Sequence, residues 1–236
     1  MTSLVVERLR KSFGSRRVLD EVSFDFACQG EVYGVFGPNG AGKTTLFRCL
    51  MGLEAADAHR FSLGDRDLRG LPAHALARAG ISLMFQRPVA IDAVTERQGL
   101  TMLLEARFGR EAPARAETAL QAHGLVALAS SRMDRLSVGE GRLLDFARAL
   151  AMEPVVLLLD EPFSGLDPLH IVQIKEQIAA AAKPGRAIVL TDHNVAVALE
   201  CVQSATILYE ARVLAHGTPA ELRAHAQVRS LYLGAL

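Results

Sequence analysis

No apolar run in this chain of 236 residues comes near the ~20 needed to cross a bilayer. The opening Met1-Thr2-Ser3-Leu4-Val5-Val6-Glu7 also lacks the basic-then-apolar layout of a secretion signal, so a soluble intracellular chain is expected. Charge of one sign is missing too. Lys+Arg and Asp+Glu are both 26, which implies no strongly basic face and argues against a nucleic-acid partner. Cysteine is scarce: Cys28, Cys49 and Cys201 are odd in number and scattered, with no metal-ligand spacing, so reduced thiols in core or surface positions are expected. Internal repeats and low-complexity linkers are absent. With half its residues hydrophobic, the chain has the material for one domain with a sizeable core and room for a smaller lobe.

What is present alternates between strand-like and helix-like segments. Residues 4–9 and 18–26 read as early strands, the second turning Val22, Phe24 and Phe26 inward against Glu21, Ser23 and Asp25. Residues 32–36, 81–85, 155–160, 187–191 and 205–209 are short apolar runs without alternation, which suits central strands covered on both faces. Between 87 and 152 the composition shifts to Ala, Leu, Glu and Arg with helical spacing (Leu100, Leu103, Leu104; Leu120, Leu125, Leu128) and no strand pattern. Pro113 lies where a helix can start, and Gly109 and Gly124 where helices can stop. The fold expected is α/β, a core of 1–86 and 153–236 interrupted by a helical subdomain over 87–152.

The strongest chemical signal is Gly37-Pro38-Asn39-Gly40-Ala41-Gly42-Lys43-Thr44-Thr45, which fits G-x-x-x-x-G-K-[ST] in full. The strand 32–36 precedes it and a helix over 43–51 follows, so it is a strand-to-helix turn. Glycines there let backbone N–H groups converge on phosphate oxygens, the helix N-terminus adds positive potential, Lys43 reaches the terminal phosphates and Thr44 can ligate Mg²⁺. A second signal is the run Val155-Val156-Leu157-Leu158-Leu159-Asp160-Glu161-Pro162. A strand of hydrophobes ending in two acids puts carboxylates at the carboxyl edge of the sheet, where open α/β sheets bind ligands. Asp160 is the candidate for holding Mg²⁺, and Glu161 for orienting or deprotonating the attacking water.

Three more segments complete a pattern: Leu136-Ser137-Val138-Gly139-Glu140 before the acidic strand, Ser164-Gly165-Leu166-Asp167 after it, and His193 in Thr191-Asp192-His193-Asn194. In this order, with Gln86 after the strand 81–85, they resemble the ATP-binding-cassette (ABC) ATPases over essentially the whole length. The resemblance implies a P-loop NTPase core of ABC type, an inserted helical subdomain and an N-terminal antiparallel β subdomain. It implies ATP and Mg²⁺ as cofactors, Phe13 stacked on the adenine, Gln86 contacting Mg²⁺ or water and sensing a membrane partner, and His193 bonded to the γ-phosphate. It also implies a dimer, of two copies or with a paired ABC subunit, in which Ser137 and Gly139 face ATP held by the opposite chain. Permease subunits in the membrane, and a place on the cytoplasmic face of the inner membrane, belong to the same expectation.

Two departures stand out against the family pattern Leu-Ser-Gly-Gly-Gln. Glu140 replaces glutamine, and Ser137-x-x-Glu140 is also a helix capping box. Val138 replaces a glycine: its N–H remains, but a branched side chain restricts φ/ψ and close approach. Segments 71–80, 161–168, 190–195, 216–219 and 228–234 resemble the subgroup holding the lipopolysaccharide-export ATPase and the branched-chain amino-acid importer ATPases. The resemblance thus implies an ATPase subunit powering separate permeases, with lipopolysaccharide export ahead of a branched-chain importer. A non-transport ABC ATPase and a nucleotide-binding regulatory module that does not turn over are the other classes. The stretch from Gln86 to Leu136 has no room for the long insertions of the first, and intact Lys43, Asp160, Glu161 and His193 oppose the second. A partner site is expected at 87–94, where Val89 and Ile91 follow the sensing glutamine.

Overall fold

The computed structural model describes residues 2–86, 91 and 93–233. Along the chain come β1 (Ser3–Phe13), β2 (Arg16–Ala27), β3 (Glu31–Phe36), α1 (Lys43–Leu50), β4 (Arg60–Leu63), β5 (Arg66–Asp67), α2 (Ala73–Ala79) and β6 (Ile81–Met84). They are followed by α3 (Glu96–Phe108), α4 (Ala112–Ala122), α5 (Val138–Ala151), β7 (Val156–Asp160), α6 (Pro168–Ala181) and β8 (Ala187–Thr191). Then come α7 (Val195–Leu199), β9 (Ser204–Tyr209), β10 (Arg212–Gly217) and α8 (Pro219–Ala224), followed by short helical turns over Ala226–Val228 and Arg229–Leu233.

The five unbroken apolar runs, joined at one edge by β10, form a six-stranded sheet in the order β10-β9-β3-β8-β7-β6. All neighbours are parallel except the β9–β10 pair. Its side chains divide between two cores by the two-residue period of a strand. Val156 and Leu158 of β7 and Val189 of β8 enter the core shared with α1 and the N-terminal sheet, whereas Leu157, Leu159, Ile188 and Leu190 enter the core shared with α3 to α6. Each such side chain, fully withdrawn from water, contributes roughly 1.5–3 kcal/mol. The N-terminal strands build a second, antiparallel sheet, β2-β1-β4-β5. Its inward set includes Leu4, Val6, Val22, Phe24 and Phe26, as the alternation of β2 requires. Leu46, Phe47 and Leu50 of α1 join that core, so the helix is clamped between the two sheets.

In the helical region, Thr95 caps α3 through a reciprocal box with Gln98, Gly109 closes α3, and Pro113 sits in the first turn of α4. Leu100, Leu104, Leu120 and Leu125 are buried, but Leu103 turns outward. The expected absence of strands holds for the described residues of this region apart from a single bridge, Thr95 with Arg132.

Other expectations need correction. β6 is an edge strand, not a central one; α2 and α5 pack on it, and all four residues are buried. β4 and β5 are too short to show a period, and β10 is half exposed, so none produced a readable pattern. The expected partner segment lies outside the described residues except for Ile91, Ala93 and Val94, of which Ile91 is exposed. Cys28 and Cys49 are buried, Cys201 is partly so, and all three are free thiols. No helix among the described residues is long and apolar enough to cross a membrane.

Candidate functional site

β3 ends at Phe36 on the carboxyl edge of the parallel sheet, and residues 37–42 carry the chain into α1. Two glycines make that turn possible. Gly42 is the N-cap of α1 at φ 102°, and a Cβ there would lie 2.7 Å from the Val18 carbonyl oxygen; a Cβ on Gly37 would come within 2.1 Å of the Leu208 oxygen. Ala41 donates its N–H to Pro38 at 3.1 Å, folding the loop back on itself, with Asn39 and Gly40 on the exposed rim. No side chain caps α1, so its first N–H groups are left for an anion. Lys43 is buried, and its Nζ donates to the carbonyls of Gly37 at 2.8 Å and Pro38 at 3.0 Å. Burial lowers its pKa, opposed by the charges of Glu161 and Asp160. Thr44 and Thr45 follow in the first turn of α1, both half-buried.

The two acids at the end of β7 lie beside this turn. Asp160 accepts from the Thr44 hydroxyl at 3.3 Å, and its pKa is pushed up to about 6 by burial, reinforced by the adjacent Glu161. Glu161 adopts φ 55°, a conformation uncommon outside glycine, and its N–H donates to Thr191 of β8 at 2.8 Å. Both of its carboxylate oxygens are engaged. Gln86 Nε2 donates to Oε2 at 2.7 Å, and His193 Nε2 lies 2.5 Å from Oε1. The ends of β6, β7 and β8 thus bring Gln86, Asp160, Glu161 and His193 together around a buried carboxylate pair that faces Thr44 and Lys43. An amide and an imidazole hold Glu161 in one orientation, which is what a carboxylate needs to take a proton from a placed water.

Two further residues belong to this cluster and escaped the sequence reading. Arg142 of α5 is buried; it donates through Nη1 to Phe85 O at 2.7 Å and through Nη2 to Gln86 O. Burial lowers its pKa, while Asp145, Asp192, Glu161 and Asp160 act to keep it charged. The available signal was its spacing, one helical turn before the buried Phe146. Asp192 is almost fully buried and accepts N–H groups from Phe163 at 2.8 Å and Asn194 at 2.8 Å, tying the segment after Glu161 to the one that carries His193. Burial raises its pKa.

Ser137 and Gly139 are not brought to this cluster. Ser137 caps α5: its hydroxyl accepts from the Glu140 N–H at 3.3 Å and donates to Glu140 Oε2 at 2.7 Å. Val138 is 59% exposed and lies near Gly165. Gly139 packs so closely on the His170 ring that a Cβ would fall 2.4 Å from it, and that ring is fixed by Asp167 at 2.5 Å. Phe13, at the end of β1, is 47% exposed with Lys11 Nζ 4.5 Å from its ring centre.

The ABC transporter family profile matches residues 19–164, more than half of the chain. The chain belongs to the ABC transporter ATP-binding family. A profile for the branched-chain amino acid ATP-binding cassette transporter matches residues 212–235. The lipopolysaccharide export system ATP-binding protein LptB of Escherichia coli (strain K12) is 36% identical over 99% of this chain and 98% of its own. LptB of Acidithiobacillus ferridurans is 38% identical over 98% and 96%, and a probable ABC transporter ATP-binding protein of Azorhizobium caulinodans 36% over 98% and 83%. Among solved structures, a nucleotide-free ATP-binding cassette from an ABC transporter superposes with a TM-score of 0.89 at 24% identity, covering 99% of this chain and 100% of that one, a likeness of fold. The ATP binding subunit of another ABC transporter gives 0.81 at 28% identity over 98% of both chains. As a member of this family the chain is an ATP-binding subunit of an ABC transporter, an ATPase whose hydrolysis is coupled to transport and whose partners include membrane permeases.

Proposed function

We propose that ATP is bound at residues 37–45 and hydrolysed at Glu161. The observation that carries this reading is the Glu161 carboxylate, held by Gln86 and His193 at the strand end beside Thr44 and Lys43. Gly37, Pro38, Asn39, Gly40, Ala41 and Gly42 supply the loop around the phosphates, and Lys43 exchanges its loop carbonyls for phosphate oxygens. Thr44 and Asp160 present two hard oxygen donors 3.3 Å apart, a set that suits Mg²⁺ completed by phosphate and water oxygens. Mg²⁺ would neutralise charge developing on the phosphates. Gln86 and His193 position Glu161, which accepts the proton of the attacking water, and His193 bonds the γ-phosphate. Phe13 stacks on the adenine. Positioning and electrostatics supply most of the barrier reduction in such a transfer.

Two copies pair head to tail, so that Ser137 and Gly139 of each meet the ATP of the other. Exposure of Val138 and the absence of any hydrogen bond from 137–139 to the phosphate loop among the described residues support that arrangement. The core (1–86 and 153–236) and the helical subdomain (87–152) then move as two parts around the nucleotide. The permease docks beside Gln86 on the cytoplasmic face of the inner membrane; the exposed Phe85 and Ile91 on either side of it support an apolar contact there. The cargo is lipopolysaccharide, supported by full-length similarity to LptB. A branched-chain amino-acid importer is the second reading, favoured by the match over 212–235. Phosphate release by the purified chain, abolished in Lys43→Ala, tests the ATPase site. Recovery of the permease from detergent extracts, kept by the wild type and lost in a folded Ile91→Glu, tests docking. ATPase activity of the reconstituted complex stimulated by lipopolysaccharide supports the first cargo, and stimulation by leucine, isoleucine or valine instead overturns it.

A further inference from the structure

We propose that Arg16 is a nucleotide-binding residue whose guanidinium holds a phosphate oxygen on the base side of the phosphate loop. The β1–β2 hairpin turns at Gly14 and Ser15, where Phe13 and Arg16 are direct partners in the ladder. The start of β2 lies along the loop. A Cβ on Gly42 would meet Val18 O at 2.7 Å and Leu19 Cδ2 at 2.9 Å, and a Cβ on Gly40 would lie 3.5 Å from Arg16 Nη2. Arg16 and Val18 share one face of the strand, two residues apart, and Gly40 and Gly42 have the same separation in the loop. The guanidinium therefore stands over the loop's exposed rim, on the residue that pairs across the hairpin with the aromatic assigned to the base.

Its charge is the one left over. On the same hairpin Arg8 and Arg10 bind Glu21, Arg17 binds Asp20 together with Arg212 of β10, and Lys11 binds Glu54. The Arg16 side chain has no hydrogen bond or ion pair among the described residues. The phosphate side of the site is otherwise short of cations, because Lys43 feels the charges of Glu161 and Asp160 and the first turn of α1 carries no other charge. A planar guanidinium that offers paired donors fits phosphate oxygens better than an ammonium would. Selection for phosphates near the base rather than the terminal one follows from the hairpin's position.

The inference rests on residues 37–45 holding the nucleotide, so the test carries Lys43→Ala beside Arg16→Ala and Arg16→Lys. Dissociation constants of ATP, ADP and adenosine are measured on the full chain by calorimetry at low and high salt. Arg16→Ala is expected to weaken ATP and ADP alike by about tenfold, with adenosine unaffected, and the loss should shrink as salt screens the pair. Arg16→Lys should recover part of the loss. Unchanged ATP and ADP affinities in a folded Arg16→Ala protein, with Lys43→Ala impaired, would overturn the role of Arg16 alone. An equal loss for adenosine would place Arg16 with the base or the fold and overturn it as well. Unchanged binding in Lys43→Ala too would sink the phosphate-loop reading and this inference with it.

Discussion

The carboxylate edge and the segment 136–140 are built on opposite principles. At the edge, Lys43, Asp160, Glu161 and Asp192 are buried, each with partners inside the chain. At the segment, Val138 is open to solvent and, among the described residues, Ser137 bonds within its own helix turn. Buried charge must be satisfied internally or it is destabilising, whereas an exposed backbone can wait for a partner. One region is finished by folding. The other is left open by folding, and Arg142 on α5 ties its helix to the backbone of Phe85 and Gln86.

The most severe way to break the finished region is Glu161→Gln. The amide keeps the shape but cannot take a proton, so phosphate release should fall by at least about a hundredfold while ATP binding persists. ATP should then hold the protein as a dimer on a sizing column; near-normal turnover would remove Glu161 from the role of base. Arg142→Ala cuts the connection. It strips two carbonyls of their donor and should cost about 2–4 kcal/mol of stability, read as a lower thermal midpoint, with turnover lowered as Gln86 loses its anchor. A destabilised protein with intact turnover would show that Gln86 holds Glu161 without Arg142.

Further along α5, Asp145 is buried and carries a pKa of about 6 against an ordinary 3.8, burial being the main cause, opposed by Arg148 and Arg142 and aided by Glu96. A folded-state pKa above the unfolded one means the stabilisation is full below about pH 4 and lost as pH rises through about 6, a change of up to about 3 kcal/mol. Denaturant midpoints measured from pH 4 to pH 7 should therefore slope downward from this group, and Asp145→Asn should flatten the slope. A slope unchanged in the variant would assign it elsewhere.

The smallest effect sharpens the unfinished region. Val138→Gly removes the side chain from the proposed contact with the second chain and should favour ATP-dependent pairing by on the order of 1 kcal/mol, without altering ATP affinity of the monomer. Equal pairing in both proteins would mean that the valine is accommodated.

Much of the site was readable because its signals are local. The glycines of 37–42, the two acids ending an apolar run and the histidine ending the next strand each depend on neighbours in sequence. Arg142 and Asp192 were unreadable for the opposite reason: each serves backbone groups of distant segments, Phe85 and Gln86 in one case and Phe163 in the other. Arg16 hides similarly among four arginines of one hairpin, and only the pairing of the others with Glu21 and Asp20 leaves it distinct. In the fold, β4, β5 and β10 had too few alternating residues to show, and β6 looked central because α2 and α5 cover an edge strand as completely as neighbouring strands would.

The amino-acid sequence by itself determined the α/β class, the phosphate-binding turn, the acidic strand end and the family, because hydrophobic period, glycine placement and motif order are properties of a linear string. Only the tertiary structure decided which strand lies at the edge, which face of Glu161 meets Gln86 and which meets His193, and which arginine is paired and which is left over. Those are set by the packing of two sheets around α1 and by the charges that packing brings within reach of one another, and no local pattern encodes a distance between residues a hundred positions apart.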